Sequence, residues 1–231
     1  TEKHLEWLSN IAGQVKHSVD RTVVMEDLVI SAVSGLAKLA ESRDPETGDH
    51  LVRMSLYSAI IAEQLAMGDE YGHMLSPDII RNIFQFAPMH DIGKVGIKDE
   101  ILLKPGKLTP EERAEMEQHP SIGGQVLRRC ELQMNAHGHS VFQLGIEIAE
   151  CHHEKFDGSG YPAQSAGQDI PLSARIVAVA DVFDALTSKR PYKEAWPVER
   201  AMAVLREDAG GHFDPVVVTA AEQSLPRMLE I

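Results

Sequence analysis

Apolar residues recur three and four positions apart along nearly all of this chain, and two-residue alternation over strand lengths is almost absent. That pattern confines the fold to an all-α class. Val141 to Cys151, Ala174 to Thr187, Val198 to Glu207 and Pro215 to Leu225 each carry the helical spacing, as do Leu51 to Leu65. Ser76-Pro77 reads as an N-cap followed by proline at the first helical position, opening a helix that ends toward Pro88. Thr109-Pro110-Glu111-Glu112 is a capping box, in which Thr109 and Glu112 satisfy each other's orphaned backbone donors. Only Val95 to Leu103, with Gly at 93 and 96, has room for a small extended turn.

The N-terminal stretch is helical too. Leu5, Leu8, Ala12, Val15 and Val19 follow a three-four-three-four spacing, the seam of a short coiled coil or of a helix docked on a neighbour. The helical pattern runs on to Leu39, until Asp44-Pro45 and Gly48 interrupt it. We therefore expect a linker or signalling helix over 1–40 and one domain over 41–231. The seam needs a partner surface, either a second copy, giving a homodimer, or the chain's own bundle.

Composition narrows the function. The 231 residues are 43% hydrophobic and 25% charged, the profile of a folded globular chain. A net charge of -13 disfavours a DNA or RNA duplex or an anionic membrane as partner, and an anionic substrate would need a locally positive site. The longest apolar runs, such as Ile176 to Ala180, fall far short of the roughly 20 residues of a membrane span. Two cysteines, Cys130 and Cys151, give no disulfide framework and read as small buried thiols, with a reducing cytoplasm as the expected compartment. The unusual figure is eleven His beside six Phe and four Tyr.

Position decides what those histidines can do. His90-Asp91 puts an imidazole and a carboxylate side by side at the end of an apolar helix, within reach of one divalent ion. His50 opens the Leu51 to Leu65 helix, and Glu46 lies four residues before it, on the same face if that turn is helical. His152-His153 follow the Val141 to Cys151 helix, and Asp181 sits within that of Ala174 to Thr187. Facing helices of a bundle build metal sites in this way. The Asp157-Gly158-Ser159-Gly160-Tyr161-Pro162 segment lacks the Gly-Lys-Ser/Thr of a P-loop. Its two glycines allow positive φ, and it is either a turn supporting His152-His153 or a contact surface offering Tyr161. His4, His17, His73, His137, His139 and His212 match no ligand position, Asp49 reads as exposed or a cap, and Asp184 reads as a supporting or packing residue rather than a ligand.

Taken in order, GDH at 48–50, HDIGK at 90–94, KPGKL at 104–108, HP at 119–120, HHEKFDGSGYP at 152–162, ADVFDALTSKRPYK at 180–193 and GGHFDP at 210–215 resemble an HD-GYP domain, a subgroup of the HD metal-dependent phosphohydrolases. The resemblance implies an HD-domain helical bundle with a long N-terminal helix. It implies hydrolysis of cyclic di-GMP to pGpG or GMP by a hydroxide bridging two metals. The implied ligands are His50, His90, Asp91, His119, His152, His153 and Asp181, with Asp91 bridging. Glu46 occupies the place that accompanies a third metal, so two or three divalent ions, iron or manganese foremost, are implied. Asp91 and Lys94 are the implied catalytic pair, while Lys94, Arg190, Lys193 and Tyr161 would hold the substrate. A diguanylate cyclase is the implied partner of the GYP loop. Physical chemistry agrees: two close metals lower the pKa of a shared water and neutralise a phosphodiester's charge. With Glu46, Asp91 and Asp181 as the acidic ligands, two or three such ions leave the site net positive, opposite to a dianionic dinucleotide. A hybrid cyclic GMP-AMP substrate fits the same motifs. A non-catalytic sensor or interaction module is the alternative from another class, and the presence of every ligand argues against it.

Overall fold

The computed structural model describes residues 2–41, 49–134, 140–189 and 194–231. Among these, ten helices follow one another and no strand forms: α1 (Glu2–Glu41), α2 (Asp49–Ala66), α3 (Pro77–Phe86), α4 (Asp99–Leu102), α5 (Pro110–Met116), α6 (His119–Met134), α7 (Gln143–Cys151), α8 (Leu172–Thr187), α9 (Val198–Glu207) and α10 (Pro215–Met228). The all-α class expected from the spacing and the helical bundle implied by the resemblance are both present.

Local signals account for the helix starts. The Ser76 hydroxyl accepts from Ile79 N with Pro77 just inside α3. At α5 both halves of the capping box form, Thr109 accepting from Glu112 N and Glu112 accepting from Thr109 N. The expected extended turn over Val95 to Leu103 is largely absent. Lys94 N donates to Asp91 O at 2.9 Å and Ile97 N to Lys94 O at 3.1 Å, winding Ile92–Gly96 into a 3-10 turn, and only Ile97 and Lys98 stay extended before α4. With no second strand to pair, local carbonyls are the nearest acceptors for these donors.

Helix α8 is the centre of the bundle. Every residue from Leu172 to Ala180 is buried; the stretch is apolar on all sides except for Ser173 and Arg175, and the Arg175 guanidinium is paired with Asp214. Helices α2, α7, α9 and α10 pack around it. Met54 and Ile61 of α2 are fully buried, Tyr57 meets Phe183 edge-on at 5.3 Å, and Phe86 meets Phe142 likewise at 5.9 Å. Each such fully buried side chain contributes about 1.5–3 kcal/mol. The last three turns of α1 join the core through Val33 and Ala37, whereas Trp7, Ile11, Val15, Val24 and Leu28 remain exposed. No described helix is long and apolar enough to cross a membrane.

Candidate metal centre

Five separate chain segments deliver the site. His50 stands in the first turn of α2, and His90 and Asp91 lie between the 3-10 turns Ala87–Met89 and Ile92–Gly96. His119 opens α6, His152 and His153 leave the end of α7, and Asp181 projects from α8. Two groups result. Asp91, His119, His152 and His153 bring one ligand atom each to within 4.8 Å of one another, and His50, His90 and Asp181 do the same. All seven expected metal ligands that fall in the described residues therefore converge. Glu46, the expected third-metal ligand, and Arg190 and Lys193, the expected phosphate contacts, lie outside the described residues, as do His137 and His139.

Asp91 stands between the groups. Its Oδ1 is 3.1 Å from His119 Nε2 and its Oδ2 is 3.1 Å from His90 Nε2. Lys94 Nζ sits 2.8 Å from the same Oδ2. Burial, the largest single influence, opposes ionisation of Asp91, but the Lys94 ammonium together with the neighbouring His90, His119 and His152 outweighs it and holds the carboxyl well below its ordinary 3.8. Burial also pushes His152 below its ordinary 6.5, and burial together with the neighbouring His152 pushes His153 well below it.

Backbone carbonyls fix the ring tautomers. His90 Nδ1 donates to Ala87 O at 3.0 Å, His119 Nδ1 to Met116 O at 2.8 Å, and His152 Nδ1 to Ile148 O and Ala149 O at 3.1 Å. A neutral imidazole that donates from Nδ1 presents a lone pair at Nε2. The lone pairs of His119 and His152 then face each other at 3.4 Å, beside an Asp91 Oδ1 that is buried without a hydrogen-bond partner among the described residues. Such converging acceptors repel one another unless a cation lies between them. The donor set thus fits divalent metal, and imidazole with carboxylate suits iron, manganese or zinc.

The glycine-rich loop forms the wall beside His153. Tyr161 stacks on that ring at 4.8 Å and 28°, and burial pushes its hydroxyl upward. Gly158 adopts φ +82° as expected. Gly160 does not. It is needed because the Glu154–Lys155 backbone passes 2.3 Å from where a Cβ would stand. Glu154 Oε1 accepts from Ala163 N at 2.7 Å, and Phe156 N and Asp157 N donate to His212 O and Gly211 O, so the GGHF segment braces the loop.

Asp184 holds the supporting place expected of it, accepting from His50 Nδ1 at 2.7 Å. Arg53, which reaches the same carboxylate at 2.6 Å, was not expected; its signal is a spacing of three from His50 that mirrors Asp184's from Asp181. Cys130 and Cys151 are free and only half-buried; burial pushes the Cys151 thiol up to about 12, which leaves it inert.

The family model for the HD domain matches residues 34–217, which include all seven of the converging residues. The chain belongs to the HD domain family. Within that match lie the HDIGK and HHEKFDGSGYP segments on which it resembles HD-GYP domains. A Vibrio cholerae protein named cyclic di-GMP phosphodiesterase is 50% identical over 92% of this chain and 44% of its own length. The Xanthomonas campestris cyclic di-GMP phosphodiesterase response regulator RpfG is 45% identical over 85% of this chain and 48% of its own. The chain thus spans about half the length of the curated HD relatives it matches. A solved structure of a V. cholerae cyclic GMP-AMP specific phosphodiesterase superposes with a TM-score of 0.58 over 85% of this chain and 50% of that one. At 21% identity it speaks for the HD fold alone.

Proposed function

We propose that this chain is a metal-dependent phosphodiesterase that opens the ring of cyclic di-GMP to pGpG and, after a second cut, GMP. The observation that carries the reading is the pair of ligand groups meeting at Asp91, in a chain half-identical to a protein named for that activity. His119, His152, His153 and Asp91 would hold one ion, and His50, His90, Asp181 and the second Asp91 oxygen another. Glu46, by the resemblance, would serve a third. Bound divalent ions supply a nucleophilic water at neutral pH and positive charge for the phosphate oxygens.

The chain's own side chains do the remaining work. Asp91, with its oxygens directed to the two groups, fixes their spacing. Lys94, 14% exposed beside Asp91, offers a point charge to the scissile phosphate as negative charge builds there. Tyr161 covers His153 and limits how a base or ribose can enter. Arg190 and Lys193, which the resemblance assigns to the substrate phosphates, would add a guanidinium and an ammonium there.

Hybrid cyclic GMP-AMP is the second substrate reading. It is supported by a V. cholerae protein named 3'3'-cGAMP-specific phosphodiesterase 2 at 39% identity, lower than the relatives named for cyclic di-GMP. A diguanylate cyclase docking on the Asp157–Pro162 loop, a second copy docking on α1 and a cytoplasmic setting complete the proposal.

Anaerobic purification, elemental analysis and side-by-side turnover of both dinucleotides on one sample test it. Two or three metals per chain with faster hydrolysis of cyclic di-GMP are expected. A metal-replete sample that turns over neither dinucleotide overturns the enzyme reading in favour of a non-catalytic module.

A further inference from the structure

Behind the His50–Asp181 contact, α2 and α8 carry a second layer. His50 Nε2 lies 3.6 Å from Asp181 Oδ1, and one turn on from each residue Arg53 meets Asp184. Asp184 is 1% exposed, and its carboxylate receives four donors. His50 Nδ1 reaches Oδ2 at 2.7 Å and Arg53 Nη2 reaches it at 3.0 Å. Arg53 Nε reaches Oδ1 at 2.6 Å and Ser188 Oγ reaches it at 3.1 Å.

His50 differs in this from its fellow ligands. His90, His119 and His152 lean on neutral backbone carbonyls, whereas His50 leans on a buried anion. An anion behind an imidazole orients the ring and makes its inward nitrogen a stronger donor to a cation. A buried carboxylate is costly by itself, and the guanidinium fork of Arg53 offsets that cost while fixing the carboxylate plane. Arg53 is not sealed in: its side chain is 22% exposed and lines a surface groove with Tyr57, Thr187 and Ser188.

We propose that Asp184 and Arg53 are positioning residues that set the divalent-cation affinity of the His50–His90–Asp181 group from outside it. Asp184 imposes the Nδ1–H tautomer on His50 and strengthens Nε2 as a donor, and Arg53 locks Asp184 in line. The proposal rests on the reading of these groups as metal sites.

Mn²⁺ titration of chelator-stripped full chain, followed by the loss of the free-ion electron paramagnetic resonance signal, separates the two questions. Wild type should bind at least two ions per chain. Asp184→Asn should weaken one of them by about 10- to 100-fold while leaving another unchanged. Arg53→Lys, which keeps the charge but loses the fork, should give a smaller loss at the same ion. In metal-free protein, nitrogen-15 spectra should show His50 as the Nδ1–H tautomer, and Asp184→Asn should shift that signal. Unchanged affinities in both variants overturn the proposal, as does a uniform loss at every ion. If Asp184→Asn does not fold, Arg53→Lys decides alone: one weakened ion at an unchanged melting temperature supports the proposal, and unchanged affinity sinks it. Wild type that binds no Mn²⁺ overturns the metal-site reading itself, a result distinct from bound ions indifferent to the two substitutions.

Discussion

Asp91 belongs to one group of candidate ligands, touches His90 of the other, and buries little apolar surface. Asp91→Ala and His90→Ala should therefore cut cyclic di-GMP turnover by more than about 100-fold, beyond the loss typical of a supporting partner, with the helical circular dichroism preserved. Metal analysis should show fewer ions per chain. Turnover near wild type in a metal-replete variant would remove Asp91 from the site. Acid behaviour follows from the same residues. His152 and His153 are held below their ordinary 6.5 in the folded chain, so once the pH falls below that value the unfolded chain binds more protons and stability drops. Asp91 acts in the same direction lower down: what it contributes is complete above its ordinary 3.8 and is lost beneath it. Chelator-treated protein should thus melt at progressively lower temperature from about pH 7.5 to about pH 5, and added Mn²⁺ should flatten the curve because ligation requires neutral imidazole. A melting temperature independent of pH across that range would contradict the shifts. At this scale the seven residues that converge were legible in the sequence, because metal chemistry restricts residue type and the motifs keep them in order. Arg53 was not, since its spacing of three from His50 gains meaning only when the fold brings α8 against α2 and Asp184 within 2.6 Å of it.

Elements meet most closely where Ile92–Gly96 crosses α6. A Cβ on Gly93 would lie 1.9 Å from His119 O and 2.5 Å from Gly123 N, both backbone atoms that no rotamer change can move. The glycine of the HDIGK segment is therefore a packing requirement: it lets the turn carrying Asp91 press against the helix carrying His119. Gly93→Ala should destabilise the fold by about 1–3 kcal/mol or more, read as a lower urea midpoint, and should weaken metal binding because His119 and Asp91 are driven apart. An unchanged midpoint would mean the crossing is looser than described. Helix positions were readable beforehand wherever a cap or a periodic apolar face fixed them, as at Ser76, Thr109 and the buried α8. The Ile92–Gly96 turn and the role of Gly160 were not, because both arise from backbone approaching backbone across long sequence separations, which periodicity does not encode.

At the scale of the molecule, α1 is disproportionate to the domain it serves. Its 40 residues, at about 1.5 Å each, span roughly 60 Å, and only its last turns enter the core through Val33 and Ala37. Ahead of them, Trp7, Ile11 and Val15 stand four residues apart on one face and are 62%, 38% and 57% exposed. An isolated helix of this kind is only marginally stable in water, so the stripe calls for an occupant. The bundle does not supply it, since those side chains stay exposed beside it. An anionic membrane is a poor choice for a chain of net charge -13, and α1 itself carries acidic residues at 2, 6, 20, 26 and 27 against basic ones at 3, 16 and 21 in that region. A second copy fits best: in a parallel pair the Trp7–Ile11–Val15 stripe, which shares Val15 with the neighbouring three-four seam of Leu5 to Val19, would pack against its own counterpart and link two HD domains through one rod. Sedimentation of the chain should then show a monomer–dimer equilibrium shifting with concentration. Ile11→Asp with Val15→Asp should make it monomeric and lower the helical signal, while the metal content of the domain stays as it was. A monomer at the highest accessible concentration, with the double substitution changing nothing, would refute pairing through α1.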